Sequence, residues 1–244
     1  MHTQPFPQPD LSATMESEKQ FRRNNLMFIL IPLCLFIAAL FIYMEHLGKD
    51  VAATFLKGTA SLCFVILGIL ASKGGHGSKL IIIGLILGAV ADVLLNLRYV
   101  FKAKGKLVFL AGILVFLAGH IVYLMAVFGM NSHSVISIIA ALVLTAVLMK
   151  WMFTKITAEM AFKVFGVIYI GAIVLLNCTA LINLVTAPSK FTLIFSSGAL
   201  LFLVSDIVLI LNTFGSSPRF SLRVTNLSLY YIGQILIALS LMYL

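Results

Sequence analysis

Long apolar runs separated by short polar segments dominate the chain from about residue 26 to its end. A membrane-spanning helix needs roughly 20 predominantly apolar residues, and these runs reach that length. Their boundaries at charges, prolines, glycines and polar clusters predict eight spans, at 26–45, 51–71, 79–97, 106–128, 133–152, 160–185, 191–212 and 224–243. A helix satisfies its own backbone hydrogen bonds in lipid, and the chain lacks the alternating strands of a β-barrel. The pattern therefore predicts an all-α membrane protein with a single transmembrane domain over 26–244.

The first 25 residues form a polar segment in front of the first apolar run. They hold prolines at positions 5, 7 and 9 among scattered serines and charges. Such a composition predicts a disordered tail. Arg22 and Arg23 resemble the basic start of a signal peptide, but the apolar run that follows is long and lacks a clear cleavage site, which favours a retained helix.

The charge content agrees with a membrane location. Only 10% of the residues are charged, against about 25% in a soluble domain. The expected location is the bacterial inner membrane or the endoplasmic reticulum, in contact with membrane lipids. The net charge of +9 comes mostly from loops and bears on topology and lipid head groups, so no nucleic-acid partner is expected. The loops after odd-numbered spans are the more basic, which favours a cytoplasmic location for them, although Arg22 and Arg23 favour the opposite orientation.

The spacing of small and polar residues contains a repeat. Four pairs share one offset (206 − 92 = 114): Gly84 and Gly198, Asp92 and Asp206, Gly119 and Gly233, and His120 and Gln234. This offset moves the chain by four spans. It predicts two tandem four-helix halves, approximately 26–128 and 133–244, related by an axis along the membrane normal and placed around a central polar cavity. Chance is the alternative, because glycine is frequent in membrane helices.

Asp92 and Asp206 are the two carboxylates that lie deep within predicted spans. Gly84, Gly88 and Asp92 recur every four residues and share one helix face, where a Gly-x-x-x-Gly pair lets another helix approach closely. This pattern aims the carboxylate into the bundle. An ionised carboxylate is costly there, so each aspartate needs a partner or a proton. Ionisable residues inside spans mark functional sites by default, with interhelical hydrogen bonding as the alternative.

Further polar residues within the spans predict the lining of the cavity. Of five histidines, His120 alone lies inside a predicted span. Lys57 lies about two turns into the second span, where it either reaches the interface or neutralises an aspartate. The other candidates are Tyr123, Tyr169, Asn177, Tyr231 and Gln234. Each alone is more simply a structural hydrogen-bonding group, but with the acids they predict a cavity that opens toward the odd-numbered loops.

Several kinds of chemistry lack their residues. The three cysteines lie within spans and predict neither a disulfide framework nor a metal site, and one intramembrane histidine does not supply the ligands of a catalytic zinc. Gly-x-Ser-x-Gly, His-Glu-x-x-His, Walker and dinucleotide-binding motifs are absent from the sequence. Of the kinds of chemistry considered, these observations leave acid and base catalysis by carboxylic acids.

A family resemblance rests on five motifs: Gly84-x3-Gly88-x3-Asp92, Phe116-x2-Gly119-His120-x2-Tyr123, Gly198-Ala199-x2-Phe202-x2-Ser205-Asp206, Asn212-x-Phe214 and Tyr230-Tyr231-x-Gly233-Gln234. Together they resemble the YhhN-like lysoplasmalogenase family, from the second span to the eighth. The chain departs from that family at Ala91, where glycine is usual, and at Lys57-Gly58, where a Lys-Pro pair is typical.

The resemblance implies an enzyme, without metal or organic cofactor, that hydrolyses the vinyl ether bond of a lysophospholipid. Its products are a fatty aldehyde and glycerophosphoethanolamine or glycerophosphocholine. Asp92 and Asp206 would be the acid/base pair, since two neighbouring buried carboxylates do not readily both ionise. His120 would position or deprotonate water. The expected substrate-binding residues are Lys57, Tyr123, Tyr169, Asn177, Tyr231 and Gln234. The alternatives are a proton-coupled transporter and a non-catalytic lipid-binding membrane protein.

Overall fold

A computed structural model of the protein describes residues 11–130 and 133–244. Within them the chain forms eight α-helices: α1 (Leu11–His46), α2 (Asp50–Ala71), α3 (His76–Val100), α4 (Gly105–Phe128), α5 (Ser134–Phe153), α6 (Met160–Thr186), α7 (Lys190–Phe214) and α8 (Phe220–Ser240). Short 3₁₀ segments precede α4 and follow α8. All eight helices are long and apolar enough to cross a membrane. The predicted fold class is confirmed, and the protein is a multi-pass integral membrane protein.

The first helix begins earlier than the apolar run predicted. Positions 11–25, expected in a disordered tail, are helical, whereas the three prolines of that tail lie outside the described residues. Side chains one turn apart pair along this polar stretch, with Arg22 2.6 Å from Glu18 and Gln20 3.0 Å from Asn24. Pairs of this kind stabilise an exposed helix by a few tenths of a kcal/mol each. The amino-acid composition alone does not predict these side-chain pairs.

On the side of the odd-numbered loops, α3 extends three residues and α8 four residues past their predicted ends. The third and eighth spans were predicted to end at 97 and to begin at 224, but α3 continues to Val100 and α8 begins at Phe220. Arg98 and Arg223, which the apolar pattern left in loops, are therefore fixed on helices.

The helices pack in a pattern that repeats once along the chain. In each half the third and fourth helices pack most extensively, α3 on α4 and α7 on α8. Between the halves, α2 packs on α8 and α6 packs on α4, so the second helix of each half contacts the fourth helix of the other. Two tandem halves related by a two-fold axis would produce this arrangement.

The glycines of the repeat lie where the paired helices meet. A Cβ atom on Gly233 would lie 2.9 Å from the carbonyl oxygen of Gly198, and one on Gly119 would lie 3.5 Å from that of Gly84. Glycine at both places allows the two backbones to approach closely. The approach is tighter in the second half than in the first.

The two halves differ at their first helices. α1 packs on α8 as well as on α2, but a comparable contact of α5 with α4 is not found among the described residues. α5 is also the least buried of the eight spans. The second half is therefore less tightly closed than the first on the side of its first helix.

Candidate active site

Asp92 lies within a set of donors from α2 and α8. Its Oδ2 atom accepts hydrogen bonds from Ser61 Oγ at 2.6 Å and from the Tyr230 hydroxyl at 2.5 Å. Its Oδ1 atom lies 3.1 Å from Nζ of Lys57. The Lys57 and Asp92 side chains are 3% and 2% exposed, so the ion pair is buried. Asp92 therefore has a cation and two hydroxyl donors as direct neighbours.

The sequence explains why α2 supplies two of these donors. Lys57 and Ser61 are four residues apart and share one face of the helix. The Ser61 hydroxyl also lies 3.0 Å from the Lys57 carbonyl oxygen, which fixes it beside the lysine. One helix face therefore presents both a cation and a hydroxyl donor to α3.

Asp206 has a different set of neighbours, from α6 and α4. The Tyr169 hydroxyl donates to Asp206 Oδ2 at 2.5 Å, and His120 Nε2 lies 3.2 Å from the Tyr169 hydroxyl and 3.7 Å from Asp206 Oδ2. Within the described residues, Asp206 has no lysine or arginine at ion-pair distance, and Oδ1 has no hydrogen-bond partner. Asp206 is thus buried without a permanent counter-charge.

Each aspartate keeps its own partners. No hydrogen bond joins the two carboxylates in the part of the chain that the structure describes, so they do not share a proton directly. Asp92 is bound by the second helix of its own half and the fourth of the other, and Asp206 by the equivalent helices α6 and α4. The same arrangement therefore occurs twice with different side chains.

A hydrogen-bonded chain extends the Asp92 set away from the odd-numbered loops. The Tyr123 hydroxyl donates to Gln234 Oε1 at 3.0 Å, and Gln234 Nε2 lies 3.4 Å from the Tyr230 hydroxyl. Tyr230 in turn donates to Asp92. These hydrogen bonds therefore connect α4, α8 and α3, and they reach the Asp92 carboxylate through Tyr230.

Two phenylalanine rings, Phe202 and Phe116, lie between the two carboxylate sets. Phe202 is 5.1 Å from the Tyr230 ring and 4.8 Å from the His120 ring, centroid to centroid, in edge-to-face contact with both. Phe116 is 5.9 Å from Tyr230 and 6.4 Å from His120. These rings connect the neighbour of Asp92 to the neighbour of Asp206 through apolar surface.

Both carboxylates line one cavity, here called the acidic cavity. It opens among α2, α3, α4, α7 and α8, and its charged or polar lining residues are Lys57, Asp92, Arg98, Ser205, Asp206, Arg223, Asn226 and Tyr230. Arg223 makes a two-pronged ion pair with Glu45 of α1, at 2.7 and 2.9 Å. The cavity therefore combines two acids with cations at its odd-loop end.

An apolar cavity adjoins the acidic cavity. It is enclosed by α4, α5, α6 and α7, and Phe116, Phe109, Leu95 and Leu209 line both spaces. Tyr169, the donor to Asp206, also lines the apolar cavity. α5, the least buried of the eight spans, forms one of its walls. A narrow apolar space thus ends beside Asp206.

The structure brings together most of the residues that the sequence selected. Lys57 contacts Asp92; His120 and Tyr169 contact Asp206; and Tyr123 and Gln234 extend the Asp92 set. Two residues take other positions. The Asn177 amide donates to the Ile173 carbonyl of its own helix, and Tyr231 lies 3.5 Å from the Lys57 carbonyl oxygen, contacting neither carboxylate.

The sequence did not single out several site residues, among them Tyr230, Ser61, Arg98 and Arg223. Tyr230 and Ser61 follow helix periodicity, since each is four residues from a selected residue, Gln234 and Lys57 respectively, so that signal was available. Arg98 and Arg223 gave no comparable signal. They lie at span ends, where basic residues ordinarily contact lipid head groups.

Comparison with known proteins identifies a family. The model of the YhhN family matches residues 52–241, which include every residue of both carboxylate sets. No curated protein and no solved structure matches the chain.

Proposed function

The chain belongs to the YhhN family, and from this premise we propose that it hydrolyses the vinyl ether bond of lysoplasmalogens inside the membrane. One observation carries the proposal: two buried aspartates line the same cavity, and within the described residues Asp92 has a lysine partner whereas Asp206 has neither a lysine nor an arginine. Such a pair offers a proton donor and an anion to one bound molecule.

The reaction needs a proton on carbon. A vinyl ether, R–CH=CH–O–CH2R′, takes a proton at its outer alkene carbon and becomes an oxocarbenium ion. Water adds to the cationic carbon, and the resulting hemiacetal collapses to R–CH2–CHO and HO–CH2R′. One water is consumed, and the proton lost when water adds replaces the proton delivered to carbon. Glycosidases meet a similar cation with two carboxylates in different protonation states.

Asp206 is assigned as the general acid. A buried carboxyl without a counter-charge favours its neutral form, and Tyr169 holds Oδ2 while Oδ1 has no hydrogen-bond partner among residues 11–130 and 133–244. The proton on Asp206 can therefore point toward a substrate in the acidic cavity. Donation leaves an anion that the Tyr169 hydroxyl stabilises, with His120 close by.

Asp92 is assigned to stabilise the cation. Lys57, Ser61 and Tyr230 keep it ionised and in place, so its charge is available before the reaction begins. The faces of Phe116 and Tyr230 beside it also favour a cation, through their ring electrons. His120 is assigned to position the water and take its proton, since its Nε2 atom lies 3.7 Å from Asp206 Oδ2.

The apolar cavity is assigned to the alkenyl chain. Its lining is almost wholly apolar and it meets the acidic cavity at Phe116. A chain inside it would place the vinyl ether, at its head-group end, next to Asp206. Entry from the membrane passes beside α5.

The test is aldehyde release by purified protein in detergent. We expect aldehyde from a 1-alkenyl lysophospholipid and none from the matched 1-alkyl compound, which lacks the double bond. In heavy water, followed by immediate reduction to the alcohol, the product should carry one deuterium on the carbon next to the former carbonyl. A proton-coupled transporter or a lipid-binding protein would release no aldehyde.

The acid is tested by Asp206→Asn. This variant keeps the size of the side chain and removes the proton donor, so kcat should fall about 10²–10⁴-fold. Because Asp206 has no lysine or arginine partner within the described residues, the melting temperature in detergent should stay at or above that of the parent protein. Activity within tenfold of the parent would remove Asp206 from its assigned role.

A further inference from the structure

Arg98 lies where the acidic cavity meets the surface at the odd-loop end. It lines the acidic cavity, and it also lines an open groove with Gly105, Lys106, Phe109 and Glu159. The guanidinium carbon is 4.3 Å from the centre of the Phe109 ring and 4.6 Å from that of Tyr99. Two aromatic rings therefore hold this cation at the mouth of the site.

The other cations of the cavity are already neutralised. Lys57 pairs with Asp92 and Arg223 pairs with Glu45. Arg98 donates from Nη2 to the Tyr99 hydroxyl at 2.5 Å, but within the described residues it has no carboxylate at ion-pair distance. Its Nε–H is buried and has no hydrogen-bond acceptor in that part of the chain. A half-buried guanidinium with an unused donor is suited to an anionic ligand that enters from outside.

We propose that Arg98 binds the phosphate of the lysolipid head group, and so orients the substrate between the two cavities. The inference rests on the proposed function and extends it to the phosphorylated end of the molecule. If Asp206 keeps its proton, Arg98 leaves the cavity with one uncompensated positive charge, and a phosphodiester supplies the missing negative one. Guanidinium and phosphate also match as two-pronged partners.

The placement requires one lysolipid to contact Arg98 and Asp206 at the same time. Its phosphorus and vinyl ether oxygen are joined through a three-carbon glycerol and lie about 6 Å apart. Arg98 and Asp206 line the same cavity, so one molecule can reach both. Phe109 lines the groove, the acidic cavity and the apolar cavity, and marks where head group and chain would diverge.

The first test compares two substrates that differ only in the phosphorylated head group, a 1-alkenyl lysophosphatidylethanolamine and the 1-alkenylglycerol. For Arg98→Gln, kcat/KM for the phospholipid should fall about 10- to 100-fold relative to kcat/KM for the alkenylglycerol. Lys150→Gln makes the same change of charge at an exposed position on the same side, outside the three cavities, and should leave that ratio at the parent value. An unchanged ratio in Arg98→Gln overturns the proposal.

Arg98→Lys serves as a control for a folding defect. It keeps the charge but loses the two-pronged geometry, so its ratio should lie between those of the parent and Arg98→Gln. Both variants are compared with the parent by thermal melting in detergent. A ratio in Arg98→Lys as low as in Arg98→Gln contradicts a charge-assisted phosphate contact, and a ratio equal to the parent contradicts the two-pronged geometry.

A binding measurement separates this inference from the proposed reaction. The 1-alkyl lysophosphatidylethanolamine has no double bond, so its binding can be measured whether or not the protein hydrolyses vinyl ethers. Arg98→Gln should weaken that binding about 10-fold or more, with Lys150→Gln unchanged. Inorganic phosphate serves as the competitor. If Arg98→Gln alters only competition by inorganic phosphate and not lysolipid binding, the site takes free phosphate and the head-group assignment is overturned.

Discussion

Asp92 and Asp206 occupy equivalent places in the two halves of the protein and have different chemical neighbours. Each is bound by the second helix of its own half and the fourth helix of the other. At Asp92 those helices supply a lysine, a serine hydroxyl and a tyrosine hydroxyl. At Asp206 they supply a tyrosine hydroxyl and a nearby histidine. The repeated scaffold sets where each carboxyl lies, and the neighbouring side chains set its charge.

This difference shows how two equivalent positions in a helical bundle can give a carboxylate different neighbours. Two identical acids in one cavity become useful for acid catalysis when their surroundings favour different protonation states. Lys57 supplies that distinction in a single side chain, because it neutralises one aspartate and leaves the other without a cation. The comparison can be tested by changing the charged partner of Asp92, the hydrogen-bond donors of both aspartates and the glycines where the helices of each half meet.

The largest effect on stability is expected from Lys57→Met. This change leaves Asp92 charged and buried without its partner, which should cost about 3–5 kcal/mol of unfolding free energy. Lys106→Met is the matched control, because its ion pair with Glu159 is shorter, at 2.6 Å, but 78% and 65% exposed. Exposed pairs contribute about 1 kcal/mol or less. Unfolding in detergent measures both changes.

The double variant Lys57→Met with Asp92→Leu sharpens this test. It removes both charges, so much of the lost stability should return. If Lys57→Met is no more destabilising than Lys106→Met, the buried pair does not hold Asp92 ionised, and the division of roles between the aspartates fails.

A smaller effect, on turnover, is expected from Tyr169→Phe. Tyr169 supplies the one hydrogen bond to Asp206 found within the described residues, so its loss should lower kcat about 10- to 100-fold. Ser61→Ala removes one of three polar partners of Asp92 and should lower kcat by less than about tenfold. Aldehyde release at saturating substrate measures both. Equal losses would show that the two carboxylates depend equally on their donors.

The smallest effect, on stability, is expected from replacing the glycines where the paired helices of each half meet. In Gly233→Ala the new methyl group would lie 2.9 Å from the Gly198 carbonyl oxygen and 3.3 Å from the Phe202 backbone nitrogen, so α7 and α8 must separate. Overpacking of this kind costs about 1–3 kcal/mol. In Gly119→Ala the nearest atoms lie at 3.5 Å, an ordinary contact, and stability should change little. Thermal melting that ranks the two in the opposite order would contradict the tighter packing of the second half.

The sequence by itself determined the architecture, because a membrane allows few solutions. Apolar runs of spanning length must become helices in lipid, so the number of helices and their approximate ends followed from hydropathy. The offset of the repeat predicted that Asp92 and Asp206 lie on equivalent helices, and helix periodicity predicted that both side chains point into the bundle. Hydropathy did not predict that α1 begins at Leu11, since this part of the helix depends on paired polar side chains and not on hydrophobicity.

Only the tertiary structure decided which side chains meet. Spacing along one helix says which face a residue occupies, but not which face of another helix it will contact. Tyr230 rather than Tyr231 reaches Asp92, Lys57 pairs with Asp92 and not with Asp206, and Asn177 bonds to its own helix. These outcomes depend on how α2, α6 and α8 are rotated within the bundle. The charge state of each aspartate follows from those rotations, because burial makes a carboxyl depend on the few groups that touch it.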